Sequence, residues 1–124
     1  MLLEPDKNCW RLTHSDRLAF LVDGAAYFSA FREATKRARR SILMLGWDFD
    51  TLVPLVPAGA PDDGLPRTLL AYLNALCKRD PRLSIHVLAW DFSIIYTFER
   101  EPMPAVNFGW RSHRRLHFAL DGEH

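Results

Sequence analysis

The sequence is poor in the features that assign a chain quickly to a special class. Its 124 residues include two cysteines, Cys9 and Cys77. That is too few for a disulfide framework, and a reducing compartment is the expectation. No run reaches the roughly 18 apolar residues of a spanning helix; the longest are cut short, one by Asp48 and another by Asp91. The opening "MLLEPDKN" has neither the basic start nor the long apolar run of a secretory signal. Charge of one sign is also missing: 16 Lys and Arg stand against 15 Asp and Glu, for a net charge of +1. A field strong enough to gather nucleic acid is therefore not expected, nor is an acidic tail. Walker loop, Gly-x-Ser-x-Gly elbow, dinucleotide glycine fingerprint and close cysteine pair are all absent.

What remains is ordinary globular material, 48% hydrophobic and 25% charged. A chain of this size buries about 65% of its unfolded surface, enough for one core. A single domain over 1–124 is expected, with a flexible terminus at 1–8. Cys9–Thr13 and Leu18–Val22 read as two short strands around the turn-like "HSDR", a hairpin. Asp23 suits a helix N-cap, and Tyr27, Phe31, Ala34 and Ala38 share one face of a helix running to about Arg39. The basic "KRARR" at its end complements the helix dipole. "SILMLGW" is a continuous apolar run, which suits a strand covered on both faces. Residues 51–64, with Pro54, Pro57, Gly59, Pro61 and Gly64, form a loop.

Pro66 fits the first turn of a second helix whose buried stripe is Leu69, Leu70, Leu73, Leu76 and Cys77. "KRDP" stops it. "LSIHVLAW" is the next strand, "SIIYTFERE" a short helix ended by Pro102, and "RLHFALD" a further strand. The alternation predicts an α/β layered fold with a largely parallel sheet and right-handed crossovers.

Trp-Asp-Phe occurs twice, at Trp47, Asp48 and at Trp90, Asp91, each time where a strand should end. Ligands of open α/β sheets bind outside the carboxyl ends of the strands. Both tracts are thus expected on one rim, with Asp48 and Asp91 across a crevice. Two readings stand side by side: the carboxylates orient a substrate group, or they cap the next element while the indoles seal the core. "WRSHRRLH" gathers Arg111, His113, Arg114, Arg115 and His117. Arg114 and Arg115 are candidates for phosphate contact, or charges that protect a strand edge. His113 and His117 have metal-ligand spacing only on a helix, and the segment reads as a strand, so no metal site is expected. "DGEH" supplies Asp121, Glu123 and His124, or a plain turn. His86, in an apolar strand, reads as a core histidine, and His14 as a turn residue. Phe108 and Trp110 could touch a lipid surface, though Glu99, Arg100 and Glu101 oppose deep insertion.

Taken together, "RLAFLVDGAAYF", "ARRSILMLGWDFD", "SIHVLAWDF", "EREPMP" and "WRSHRRLHFALDGEH" resemble the N-terminal part of bacterial phospholipase D-like proteins, over about Asn8 to His124. The resemblance implies a layered α/β/α fold with a mixed, largely parallel sheet. It implies a phosphodiesterase or transphosphatidylase acting on phospholipid, at home in the cytoplasm or on the inner face of a membrane. In that superfamily two His-x-Lys-x4-Asp motifs meet. One His attacks phosphorus, the other protonates the leaving alcohol and then activates water or an acceptor alcohol, and the Lys residues neutralise phosphoryl oxygens, so no metal or cofactor is needed.

This chain has no such motif. The nearest approach is His113-x-Arg115 with Asp121, which has Arg for Lys and its Asp one position too far along; on a strand that slip turns the side chain to the other face. Relatives of this type carry the first motif soon after a "DGEH"-like segment. The expectation is therefore a scaffold fragment, inactive by itself, with Trp47, Asp48, Trp90, Asp91, Asp121, Glu123 and His124 on the substrate rim. Its expected partners are phospholipid, the remainder of its own domain, or a second copy meeting its exposed sheet. The rival expectations are a non-catalytic α/β module for a phosphate-bearing ligand and a nuclease-like phosphodiesterase. The balanced charge gives the last little support.

Overall fold

The computed structural model describes residues 2–90 and 111–121. Two helices and three strands follow in the order α1 (Gly24–Arg37), β1 (Ser41–Gly46), α2 (Leu69–Arg79), β2 (Ser84–Trp90) and β3 (Leu116–Asp121). The strands form one parallel sheet with β2 between β1 and β3. The chain is α/β, as its alternation requires.

Local chemistry sets the ends of the helices. Asp23 has extended backbone and its carboxylate accepts from the Ala26 N–H at 2.7 Å, satisfying a donor that the first turn leaves open. Lys36 and Arg37 fill the last turn of α1, and Lys78 and Arg79 that of α2, where the helix dipole favours cations. Helix α2 begins at Leu69, so Pro66 precedes it rather than opening its first turn. The reason lies in residues 51–68. Pro54 bridges to Thr68, Leu55 N–H donates to Arg67 O and Leu69 N–H to Val53 O, and these bonds hold Thr68 extended ahead of the helix. The Pro/Gly-rich loop is thereby stitched to the core, with Thr51 and Leu55 buried.

One face of the sheet is packed. Ile42, Ile85, Val87 and Leu116 meet Leu69, Tyr72, Leu73, Leu76 and Cys77 of α2, with Phe28 and Phe31 of α1 against them. At roughly 1.5–3 kcal/mol per fully buried large apolar side chain, this cluster is the main source of stability. The buried stripe of α1 is not the expected Tyr27, Phe31, Ala34, Ala38. Tyr27 and Ala34 are exposed, and Arg32 and Thr35 are buried instead. Polar groups can occupy that stripe because each finds partners there. The Thr35 and Tyr72 hydroxyls lie 2.8 Å apart, the Tyr72 hydroxyl donates to Arg32 O, and the Arg32 guanidinium sits 4.3 Å from the Tyr72 ring centroid.

Three further expectations give way. The hairpin over Cys9–Thr13 and Leu18–Val22 does not form: residues 10–22 contain no strand, and Leu18, Phe20 and Val22 are 78%, 87% and 92% exposed. A two-stranded ribbon without a surface to lie on is marginal in water. Among the described residues strand β1 is covered on one face, not two, since Leu43 and Leu45 point to the side opposite the helices. For the same reason His86 is an exposed side chain and not a core histidine. The expected helix in "SIIYTFERE", together with Phe108 and Trp110, lies outside the described residues. Among the described residues no helix is long and apolar enough to cross a membrane.

Candidate functional site

Because all three strands run the same way, their carboxyl ends form one rim. The register sets Trp90 opposite Asp121. One residue past β1, the Trp47 ring meets the Trp90 ring edge to face, with centroids 4.1 Å apart and planes at 84°. Trp47 and Trp90, which open the two Trp-Asp-Phe tracts, are thus neighbours, as their positions in the sequence imply. Trp47 stays largely exposed, so it does not seal the core.

Beyond Trp47 the chain turns off the sheet. The Asp48 carboxylate accepts from Phe49 N–H and the Asp50 carboxylate from Leu52 N–H, both at 2.8 Å. Such short side-chain-to-backbone bonds stabilise turns. The turn swings the Phe49 ring back over Gly46, where an added Cβ would lie 2.8 Å from the ring. Between this turn, the end of β1 and the first two turns of α1 lies a cleft of about 390 Å³. Tyr27, Phe28, Phe31, Met44, Phe49 and Val53 give it apolar walls, and Asp48 and Asp50 bring carboxylates to it. Sequence reading missed Phe49 and the cleft. Gly46 before Trp47 was the available signal, since a glycine ending a strand marks a close approach. Gly46→Ala is expected to displace the Phe49 ring and lower stability by about 1–3 kcal/mol through overpacking, read from the urea midpoint against wild type.

The expected phosphate contacts stand elsewhere. Arg114 and Arg115 precede β3, at the opposite end of the sheet from the rim. The Arg115 guanidinium donates to the carbonyls of Leu83 (3.0 Å), Asp80 (3.3 Å) and Cys77, which ties the end of α2 to the start of β2 and β3. Arg114 is exposed. His113 sits in the turn before β3, its backbone N–H held by Asn74 Oδ1 at 2.7 Å. Desolvation first, then Arg115, Arg114 and Lys78, push its pKa below the usual histidine value. His117 faces away on β3, so the two do not form a ligand pair; its ring stacks on His86 across the strands, 4.8 Å between centroids. Among the described residues no group of three or more His, Cys, Asp or Glu is placed to hold a metal. Asp91, Glu123 and His124 lie outside the described residues.

The rim therefore offers two indoles in contact, carboxylates at Asp48, Asp50 and Asp121, and an apolar cleft alongside. Such an arrangement can hold and orient an amphipathic ligand. No protein-family model matches the chain, and no curated protein matches it either.

Proposed function

We propose that this chain is the scaffold portion of a phospholipase D-type phosphodiesterase or transphosphatidylase acting on phospholipid, and that it contributes a substrate rim rather than the nucleophile. The described residues would be the helix-and-sheet half of the layered α/β/α arrangement. The observation that carries the reading is the contact of Trp47 with Trp90 beside Asp121, which gathers three separated family-like segments on one rim. The motif-like His113, Arg115 and Asp121 do not converge: Arg115 is bound to carbonyls before β3 and Asp121 ends that strand. The nucleophilic step belongs to a His-x-Lys-x4-Asp that this sequence does not contain.

The test is to read the gene past the codon for His124 and assay the resulting protein on phospholipid vesicles. An in-frame motif, with phosphodiesterase activity that Trp90→Ala lowers about tenfold at unchanged melting temperature, supports the reading. A stop codon with no motif ends it. The second reading, a non-catalytic module for a phosphate-bearing ligand, is favoured by the absence of the motif and by the exposed Arg114. Saturable phosphate-ester binding that Arg114→Ala abolishes would select it.

A further inference from the structure

The cleft beside the rim has a chemistry of its own. Its volume is about 390 Å³, within the roughly 300–1,000 Å³ of small-molecule sites. Four aromatic rings line it, those of Tyr27, Phe28 and Phe31 from α1 and that of Phe49 from the turn after β1. Tyr27 and Phe28 meet edge to face, with centroids 5.5 Å apart and planes at 66°. Phe28, Phe31 and Phe49 are packed against the core and Tyr27 is 54% exposed, so three rings are fixed by the fold and one is open to solvent. Among the described residues that line the cleft, Asp48 and Asp50 are the only charged ones, and both are exposed. Each carboxylate accepts a backbone N–H of its own turn, from Phe49 and from Leu52. A neutral donor leaves the negative charge in place.

This lining selects by charge. Aromatic faces and carboxylates both attract cations. The positive end of the α1 dipole would draw an anion, but the Asp23 carboxylate already meets it at Ala26 N–H. Arg32, the first cation along α1, is bound to Asp63. A phosphate here would face two like charges, and a neutral ligand would use the walls but not the carboxylates. We propose that the cleft binds an organic cation with an apolar body, an alkylated or aryl-alkyl ammonium. The apolar walls take the body, and the ammonium lies among the rings beside Asp48 and Asp50. The inference goes beyond the functional reading above and does not depend on it, since no phosphate contact enters it.

Calorimetric titration of the whole chain with three benzyl compounds tests it: benzyltrimethylammonium, benzyl alcohol and benzylphosphonate carry one ring with positive, no and negative charge. The cation is expected to bind with a Kd below about 1 mM and at least about tenfold more tightly than the alcohol. It should shift the amide resonances of Gly46, Phe49 and Asp50, and the phosphonate should not. Raising salt from about 50 to about 500 mM should weaken it. Asp50→Asn keeps an oxygen for Leu52 N–H and removes the charge; Tyr27→Leu keeps an apolar wall and removes a ring. Each should weaken the cation at least about threefold with the wild-type circular dichroism spectrum. No binding of the cation overturns the proposal. So does an alcohol or phosphonate that binds at these amides as tightly, or an affinity for the cation that either variant leaves unchanged.

Discussion

Asp63→Asn is expected to lower the stability of the chain by about 2 kcal/mol and to release the loop between β1 and α2. Arg32 is 3% exposed, its guanidinium against the Tyr72 ring, and it carries its charge there because Asp63 meets it with both oxygens at 2.7 Å and Pro66 O accepts at 2.9 Å. Lys36 adds a second cation to Asp63 at 2.8 Å. Breaking a fully buried pair by removing one partner costs about 3–5 kcal/mol. Asp63 itself is one-third exposed, so water replaces part of what the carboxylate gave, and the cost falls to about 2 kcal/mol. Urea unfolding of both proteins measures it, and hydrogen exchange should show faster opening over 57–67 in the variant.

The same pair fixes the sign of the pH dependence. Hydrogen bonds from Arg32 and then Lys36 hold the Asp63 carboxyl well below the ordinary carboxylate range. A depressed folded-state pKa means stability that is complete above the unfolded value, about 3.9, and that drains away as pH falls below it. Wild type and Asp63→Asn should therefore differ by a constant amount from about pH 7 to about pH 5 and converge below about pH 4. Curves that stay parallel down to the lowest pH would show that the carboxylate is not what holds Arg32.

These contacts also mark where sequence reading reaches its limit. Asp23 as a cap, the stripe of Leu69, Leu73, Leu76 and Cys77, and the strand ending at Trp90 were legible, and the strand read to Trp47 ends one residue earlier, at Gly46. Each is set by neighbours within a turn or two, through a cap bond or through periodicity. The Trp47–Trp90 contact was legible for a different reason: parallel strands joined by a helix put their carboxyl ends together whatever the loops do. Arg32 was not legible. Its burial depends on Asp63, 31 positions away in a loop, and an arginine in a helix registers as surface unless its partner is known. The exposed faces of β1 and β2 were misread because an apolar run states that side chains are hydrophobic without stating what covers them. The stacked His86 and His117 follow from register, which only pairing supplies.

Those misreadings share a direction. Leu18, Phe20 and Val22 before α1, Leu43 and Leu45 on β1, and Trp47 at the rim all carry apolar groups that the described residues leave in water. A large exposed apolar surface marks a place where something binds. The packed half of the sheet carries the core, and the open half, with the rim above it, carries none of it among the described residues. Substitutions at Leu43 and Leu45 are thus expected to have little effect on stability, and substitutions at Ile42 and Ile85 a large one.

Arg115→Met should be the second large loss, about 2–3 kcal/mol. It separates a structural arginine from a phosphate-binding one. The guanidinium spans three carbonyl oxygens, on Cys77, Asp80 and Leu83. Hydrogen bonds from a charged donor contribute about 1.5–3 kcal/mol, and a cation at a helix C-terminus adds some tenths more. Methionine keeps the length and apolar stem of the side chain but supplies no donor. Lysine keeps the charge but cannot fork to three acceptors, so Arg115→Lys should recover less than half of the loss. Arg114→Ala, one residue away and exposed, should change stability by less than about 0.5 kcal/mol. Cys77 reports the local event. Burial raises its thiol pKa, against the opposing pull of Arg115, and labelling by a thiol reagent requires opening of α2 from the sheet. In a Cys9→Ser background, Arg115→Met is expected to label at Cys77 at least about tenfold faster, following the lost free energy, while Arg114→Ala labels at the parental rate. Equal labelling in all three proteins would mean that Arg115 does not fasten the end of α2, and its guanidinium would return as a candidate for binding phosphate.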